Sequence, residues 1–203
     1  EALSTTRIGV VSGGKFYVKE GGLSTNWRSM SAGSATQGSL SGTWIAQLVA
    51  GKCVVKEGAL DGGTPWNVVW EGARQCLVAR NRLAVLTNDG RFLMKEGATT
   101  GSWTEIYSSV LQGSISGDRI GVLTNTHHFL VKEGSMSAGW TDEYYPVVQG
   151  IVSNDVYGNK RIGVLDYQGD FRVKEGSLSA QWVLEYSGVR QGALGGNCIG
   201  VLT

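Results

Sequence analysis

The chain reads as an all-β propeller of about five four-stranded blades. Three observations carry that reading. The triplet Lys-Glu-Gly returns five times, at Lys19, Lys56, Lys95, Lys132 and Lys174. The intervals are 37, 39, 37 and 42 residues, a period that marks a repeat architecture. No segment sustains apolar residues at helical spacing, whereas short Val, Ile, Leu and Phe runs alternate with Gly, Asn, Asp and Ser. Four short strands in roughly 40 residues is the arithmetic of a propeller blade.

Each strand has its own signal. The first is a small-residue segment such as QGSISG, opened by a recurring glutamine: Gln37, Gln75, Gln112, Gln149 and Gln191. It is expected innermost, where blades crowd and only small side chains fit. The second is nearly continuous in apolar residues: Arg7–Val11, Trp44–Leu48, Arg82–Leu86, Arg119–Leu123 and Arg161–Leu165. That is the pattern of a strand packed on both faces. Asn88-Asp89-Gly90 is a strong hairpin signal between second and third strands, and Tyr167–Gly169 fills the same slot. The third strand carries the triplet, as in FLVKEG. The fourth follows Trp27, Trp66, Trp103, Trp140 or Trp182, as in WTDEY.

One propeller domain is expected over 1–203, with repeats near 1–35, 36–73, 74–110, 111–146 and 147–188 and a partial repeat at 189–203. The two inner strands appear six times, because the chain opens on ALSTTRIGV and closes on GALGGNCIGVLT. The surplus pair forms a partial sixth blade, closes the ring with the N-terminus displaced, or belongs to a longer propeller.

Composition narrows function. With 41% hydrophobic residues the 203-residue chain can bury a sizeable core. The formal net charge of +1, with both signs interleaved, offers no basic stripe for a phosphate backbone, so nucleic acid is not an expected partner. No apolar run approaches the roughly 20 residues of a membrane helix, and EALSTTRIGV lacks the regions of a signal peptide; a soluble or already processed chain is expected. The 31 glycines, seven tryptophans and 17% charged residues resemble a secreted binding domain. Three cysteines, Cys53, Cys76 and Cys198, have neither an even count nor metal-ligand spacing, and are expected as small core residues. Cys53 stands where other repeats carry Phe16, Phe92 or Phe129.

The repeat logic is similar to that of tachylectin and tectonin propellers, and the VKEGSLSAxW wording resembles repeats of secreted actinobacterial propeller modules. The likeness covers essentially the whole chain. It implies a non-catalytic extracellular module, often one that binds sugars, with no cofactor. No motif fixes which sugar.

Chain direction places the triplets, the tryptophans and the corners of the Ser116–Arg119 kind on one face, with the glutamines and the hairpin turns opposite. A sugar site combines an aromatic plate with fixed polar groups. Trp140 with Lys132, Glu133 and Arg119 supplies such a set, as do Trp103 with Lys95, Glu96 and Arg82, and Trp182 with Lys174, Glu175 and Arg161; Trp27 and Trp66 mark two more. Repetition favours multivalent binding of glycans or glycoconjugates. The alternative is a joint: Lys132 facing one adjacent blade, Glu133 the other, a ring of inter-blade Lys–Glu pairs, and a tryptophan wedged at each boundary. Under that alternative the propeller is a scaffold with a protein partner. Buried sets are joints; open ones are sites.

Residues that differ between repeats carry the remaining signal. Ser31, Trp70, Tyr107, Tyr144 and Tyr186 lie on the outermost strand, either as a ligand rim or as cover for the blade edge. Trp44 breaks the arginine series, and Gly158–Lys160 enlarges one corner. His127 and His128 replace a hairpin Asp-Gly and lack the partners of a metal site. There is no GxSxG, phosphate loop or Asp-box, and Asp142 and Glu143 point apart on a strand, so no enzyme activity is expected.

Overall fold

The computed structural model describes residues 6–22, 24–60, 63–97, 99, 101–154, 158–195 and 198–203, together with the backbone of residues 2–3. Ser4 and Thr5 of the opening segment and Gly196 and Asn197 of the closing one lie outside the described residues. The chain forms two compact units, Glu1–Glu105 and Ile106–Thr203.

The first unit begins with a sheet of β1 (Ala2–Leu3), β2 (Arg7–Ser12), β3 (Lys15–Glu20) and β4 (Arg28–Ser29). Next come β5 (Ala35–Ser41), β6 (Trp44–Val49), β7 (Lys52–Glu57) and β8 (Asn67–Glu71). The third sheet contains β9 (Ala73–Ala79), β10 (Arg82–Thr87), β11 (Phe92–Glu96) and β12 (Thr104–Tyr107), the last spanning the unit boundary. The second unit holds β13 (Val110–Ser116), β14 (Arg119–Thr124), β15 (Phe129–Glu133) and β16 (Thr141–Tyr144), then β17 (Val147–Asn154), β18 (Lys160–Asp166), β19 (Phe171–Glu175) and β20 (Val183–Tyr186). A two-stranded sheet of β21 (Gln191–Gly195) and β22 (Cys198–Leu202) completes it.

Every four-stranded sheet runs up and down in sequence order, which is the topology of a propeller blade. The fold is thus an all-β propeller of five four-stranded blades plus one two-stranded sheet. The opening pair completes the first four-stranded sheet, and the closing pair forms a separate two-stranded sheet.

The small first strands have a reason that crowding alone does not supply. Each is the edge of its sheet, so its outward N–H groups need acceptors from elsewhere. The preceding blade provides them at alternate positions. Gln37 Oε1, Ser39 Oγ and Ser41 Oγ accept from the N–H groups of Cys76, Val78 and Arg80 at 3.0, 3.1 and 2.7 Å. In the second unit Gln112, Ser114 and Ser116 accept in the same way from Gly150, Val152 and Asn154 at 3.3, 3.0 and 2.9 Å. Gln149 exchanges both its amide bonds with Gly192, at 2.9 and 3.2 Å. A register shift just before the glutamine, between Ala35 and Gln37, Val110 and Gln112, or Val147 and Gln149, starts each ladder.

Apolar packing between blades repeats one contact. Phe129, fully buried, lies over Gly121 of its own blade and Gly150 of the next. A methyl group at Gly150 would come within 2.1 Å of the ring, and one at Gly121 within 2.6 Å. Phe16 sits likewise on Gly9 and Gly38, and Phe171 on Gly163 and Gly192. The glycine of the second strand and the glycine after the glutamine are therefore two halves of one seat.

The seat between the second and third blades is rebuilt. Cys53 replaces the phenylalanine and Cys76 the receiving glycine, and the two form a disulfide with both residues buried. Cys53 and Cys76 are core residues as expected, but as a bonded pair; Cys198, also expected in the core, is corrected to an exposed free thiol on β22. One covalent bond fills the space of ring plus hydrogen. By constraining the 23-residue separation, it contributes about 3 kcal/mol on a chain-entropy account.

The seat predicts opposite failures at its two sides. Phe129→Ala leaves a hole and should lower unfolding free energy by about 3–5 kcal/mol, whereas Gly150→Ala overfills it and should cost about 1–3 kcal/mol. Urea unfolding followed by tryptophan fluorescence measures both, and equal stability of Gly150→Ala and the parent would remove the seat.

Candidate functional site

The five triplets end in one geometry. Gly21, Gly58, Gly97, Gly134 and Gly176 all have positive φ, from 84° to 110°, which a side chain would strain. Each glycine N–H donates to the carbonyl before the second strand, those of Thr6, Thr43, Asn81, Asp118 and Lys160, at 2.8 to 3.0 Å. The triplet and the corner between first and second strands therefore share a face, as chain direction implies.

Four of the triplet glutamates pair with arginines of their own blades. In register, Arg7 lies opposite Glu20, Arg119 opposite Glu133 and Arg161 opposite Glu175, so the pairs form within a blade. The separations are 3.0 Å for Arg7–Glu20 and Arg119–Glu133 and 2.8 Å for Arg82–Glu96 and Arg161–Glu175. The expected ring of Lys–Glu pairs is corrected accordingly. Alternation along a strand gives the side a residue faces, but cross-strand register decides its partner. The arginine also reaches across the boundary: Arg7 donates to the carbonyls of Thr43 and Gly58 at 3.1 and 2.9 Å, and Arg119 to that of Gly176. With Trp44 in place of arginine, Glu57 accepts from Thr43 at 3.4 Å.

The lysines are buried, between 2 and 9% exposed, and each holds its ammonium over the tryptophan of its own repeat. The distances to the ring centroids of Trp27, Trp66, Trp103, Trp140 and Trp182 are 5.2, 5.8, 4.7, 4.5 and 5.1 Å. Lys95, Lys132 and Lys174 also donate to the carbonyls of Thr99, Met136 and Leu178, and burial lowers the Lys95 pKa. The tryptophans abut outer-strand aromatics edge to face: Trp103 meets Trp70, Trp140 meets Tyr107 and Trp182 meets Tyr144, at 5.3 to 5.5 Å. Trp140, Lys132, Glu133 and Arg119 thus come together as expected, with the Lys132 ammonium over the indole face; Lys132 and Arg119 are buried, and Trp140 and Glu133 are half-buried.

Outer-strand residues divide between cover and rim. Trp70, Tyr107 and Tyr144 are cover, Ser31 accepts from the Phe16 N–H at 2.7 Å, and Tyr186 is 53% exposed.

The enlarged corner gathers charged groups of two blades. Lys160 of the Gly158–Lys160 insertion is clamped by Asp118 at 2.8 Å and by Glu133, beside a cleft of about 280 Å³ reached by Asn159, Glu175 and Ser177. Burial alone would raise the Asp118 and Glu133 pKa values, but the Lys160 bonds, with Arg119 helping, outweigh it and hold both below their ordinary range. Burial likewise opposes the Lys160 charge, and the two carboxylates raise its pKa. Glu143 differs: burial raises its pKa, and Lys174, bonded to it, offsets only part.

On the side of the second-to-third turns, the two histidines join an exposed aromatic group. His128 stacks on Tyr145 at 4.3 Å and bonds Asp142 at 2.7 Å; His127 meets Tyr167 edge to face at 5.3 Å. Tyr145 is 60% and Tyr167 55% exposed, with Val148 and Leu111, both 41%, also open. Spacing did not reveal this group, because its members come from two turns and the β16–β17 connection. Among the described residues no group of three His, Cys, Asp or Glu could hold a metal ion.

No protein-family model and no curated protein matches the chain. Solved structures do. Yeast RCC1 (Prp20), in its crystal structure with Kap60, superposes with a TM-score of 0.73 at 6% identity, over 99% of this chain and 66% of that one. The likeness is one of fold. Human WBSCR16 gives 0.63 at 10% identity over 90% of this chain and 65% of its own. YCF48 bound to D1 peptide gives 0.57 at 13% identity over 95% and 71%. The chain spans slightly less than two thirds of the first two.

Two outcomes test the joint. Trp140→Ala should lower the melting temperature, with a loss of about 2–3 kcal/mol, because it removes the platform of a buried cation. The Lys160 clamp should show in pH dependence. Its two carboxyls bind protons less readily folded than unfolded, so their stabilisation is complete above the ordinary carboxylate range and is lost as pH falls through their depressed values. Lys160→Met should flatten that acid limb in urea titrations at successive pH, and an unchanged limb would exclude the clamp.

Proposed function

We propose that the chain is a non-catalytic propeller that docks protein partners outside the cytoplasm. The observation that carries this reading is where polar and aromatic groups are spent. The repeated Lys, Arg, Glu and Trp side chains bind one another, while Tyr145 and Tyr167 are open to solvent, each against a half-buried histidine, His128 and His127. Tyrosine-rich exposed clusters suit protein interfaces, because large amphipathic rings lose little rotamer entropy on contact. The neighbours support it by analogy of fold: yeast RCC1 is seen with Kap60, the same yeast protein has binding properties toward Gsp1p and histones, and YCF48 is bound to a peptide. The Cys53–Cys76 disulfide supports an oxidising location, since such bonds persist outside the reducing cytosol.

Carbohydrate binding of the tachylectin kind is the second reading. Trp27, 45% exposed, is the most open triplet tryptophan and favours it.

The two readings separate at these aromatics. Tyr145→Ala with Tyr167→Ala should reduce capture of a protein partner from culture supernatant at least about tenfold, the effect of losing roughly 1.4 kcal/mol, with the melting temperature unchanged. Saturable glycan-array binding that survives this double change and disappears in Trp27→Ala would transfer the function to the sugar reading.

A further inference from the structure

The outer-strand aromatics follow a rule that one boundary breaks. Trp70 of the second blade abuts Trp103 of the third, Tyr107 of the third abuts Trp140 of the fourth, and Tyr144 of the fourth abuts Trp182 of the fifth, each edge to face at 5.3 to 5.5 Å. The first blade carries Ser31 at this position, four residues past Trp27, and the tryptophan of the next blade is Trp66. Among the described residues no ring abuts Trp66 in this way. Its lysine, Lys56, stands at 5.8 Å, the longest of the five such distances.

Ser31 and Trp66 both line a cleft of about 290 Å³. Buried Met30 and Leu60 supply apolar wall, the buried Lys56 a cation, and Ser29 and Thr64 hydroxyls. Trp66 follows its lysine by ten residues rather than eight, and the longer connection leaves the cleft open. A cavity of about 150 Å³ lined by apolar side chains suffices for benzene, so one six-membered ring with a polar tip fits here.

We propose that this cleft is a binding site for the phenol ring of a tyrosine carried by a peptide partner, seated against Trp66 where the first blade has no ring of its own. The chemistry of the occupant is read from the filled seats. At Trp140 and Trp182 the same position is held by a tyrosine, edge to face on the indole, the arrangement that aromatic quadrupoles favour. The hydroxyls of Ser29 and Thr64 provide partners for a phenol O–H that a phenylalanine ring would leave unused. The site lies wholly in the first unit and does not depend on the Tyr145–Tyr167 group.

Acetyl-Gly-Tyr-Gly-amide titrated into the isotope-labelled intact protein, with the Trp66 indole N–H signal followed by NMR, tests the seat. A saturable one-to-one shift is expected, with a dissociation constant on the order of 1 mM, and at least about tenfold weaker binding when alanine replaces the peptide's tyrosine. Ser31→Tyr supplies the ring from within and should weaken the peptide by the same factor. That variant gives up the bond from the Phe16 N–H to Ser31 Oγ, at 2.7 Å. Thr64→Phe keeps the bond and should obstruct the cleft from the β7–β8 connection. Tyr145→Ala with Tyr167→Ala should leave this binding as it is, which separates the cleft from the turn-side group. No saturable shift, or a shift that survives both Ser31→Tyr and Thr64→Phe, overturns the proposal. So does methyl glucoside moving the Trp66 signal where the tyrosine peptide does not, because the occupant is then a sugar.

Discussion

A phenylalanine ring closed between two glycines, one from its own blade and one from the next, is the contact on which the packing depends. The ring of Phe129 can lie against backbone only because neither Gly121 nor Gly150 carries a Cβ, and the same holds for Phe16 and Phe171. Close approach of the backbones then brings Gln112, Ser114 and Ser116 within reach of the N–H groups of β17. Apolar contact and polar ladder are thus coupled: a bulkier glycine position would separate the strands and orphan a row of donors. The Cys53–Cys76 pair is the exception that fits the rule, since it replaces ring and hydrogen together while the ladder of Gln37, Ser39 and Ser41 is kept.

The polar face is organised by a second need, to bury cations without leaving them bare. Each triplet lysine is nearly excluded from water, a costly state for an ammonium unless other groups replace the solvent. An indole face and loop carbonyls do so for Lys132, and the Glu143 carboxylate joins them for Lys174. The arginines are anchored by an in-register glutamate and spend their remaining donors on carbonyls of the following blade. The Lys–Trp contact recurs in all five repeats and the Arg–Glu pair in four, so the repeated triplet takes part in the packing of every blade.

Much of this was legible in the letters. The period, the four strands per repeat, the turn at Asn88–Gly90 and the face shared by triplet and corner all follow from local patterns that the backbone obeys. Less legible was whatever depends on two repeats at once. The disulfide was hidden because three cysteines suggest no pairing; it appears when Cys53 is aligned with Phe16 and Cys76 with Gly38, positions that touch across a boundary. The glutamate partners were misassigned because alternation along β15 does not reveal what stands opposite on β14. The serines of the first strands were credited with small size when their hydroxyls matter as much. The aromatic group around His127 and His128 was missed because Tyr167 comes from a turn 40 residues away.

The shared residues pack on one another, and the features that break the repeat stand apart from that packing. Two stand in the second unit: the aromatic group on its turn side and the Lys160 clamp at the enlarged corner. They differ in kind. The clamp neutralises itself, since Lys160 lies between two carboxylates, and so presents little net charge to attract a ligand from a distance. The aromatic group offers area without directed backbone bonds, which suits a broad and adaptable contact.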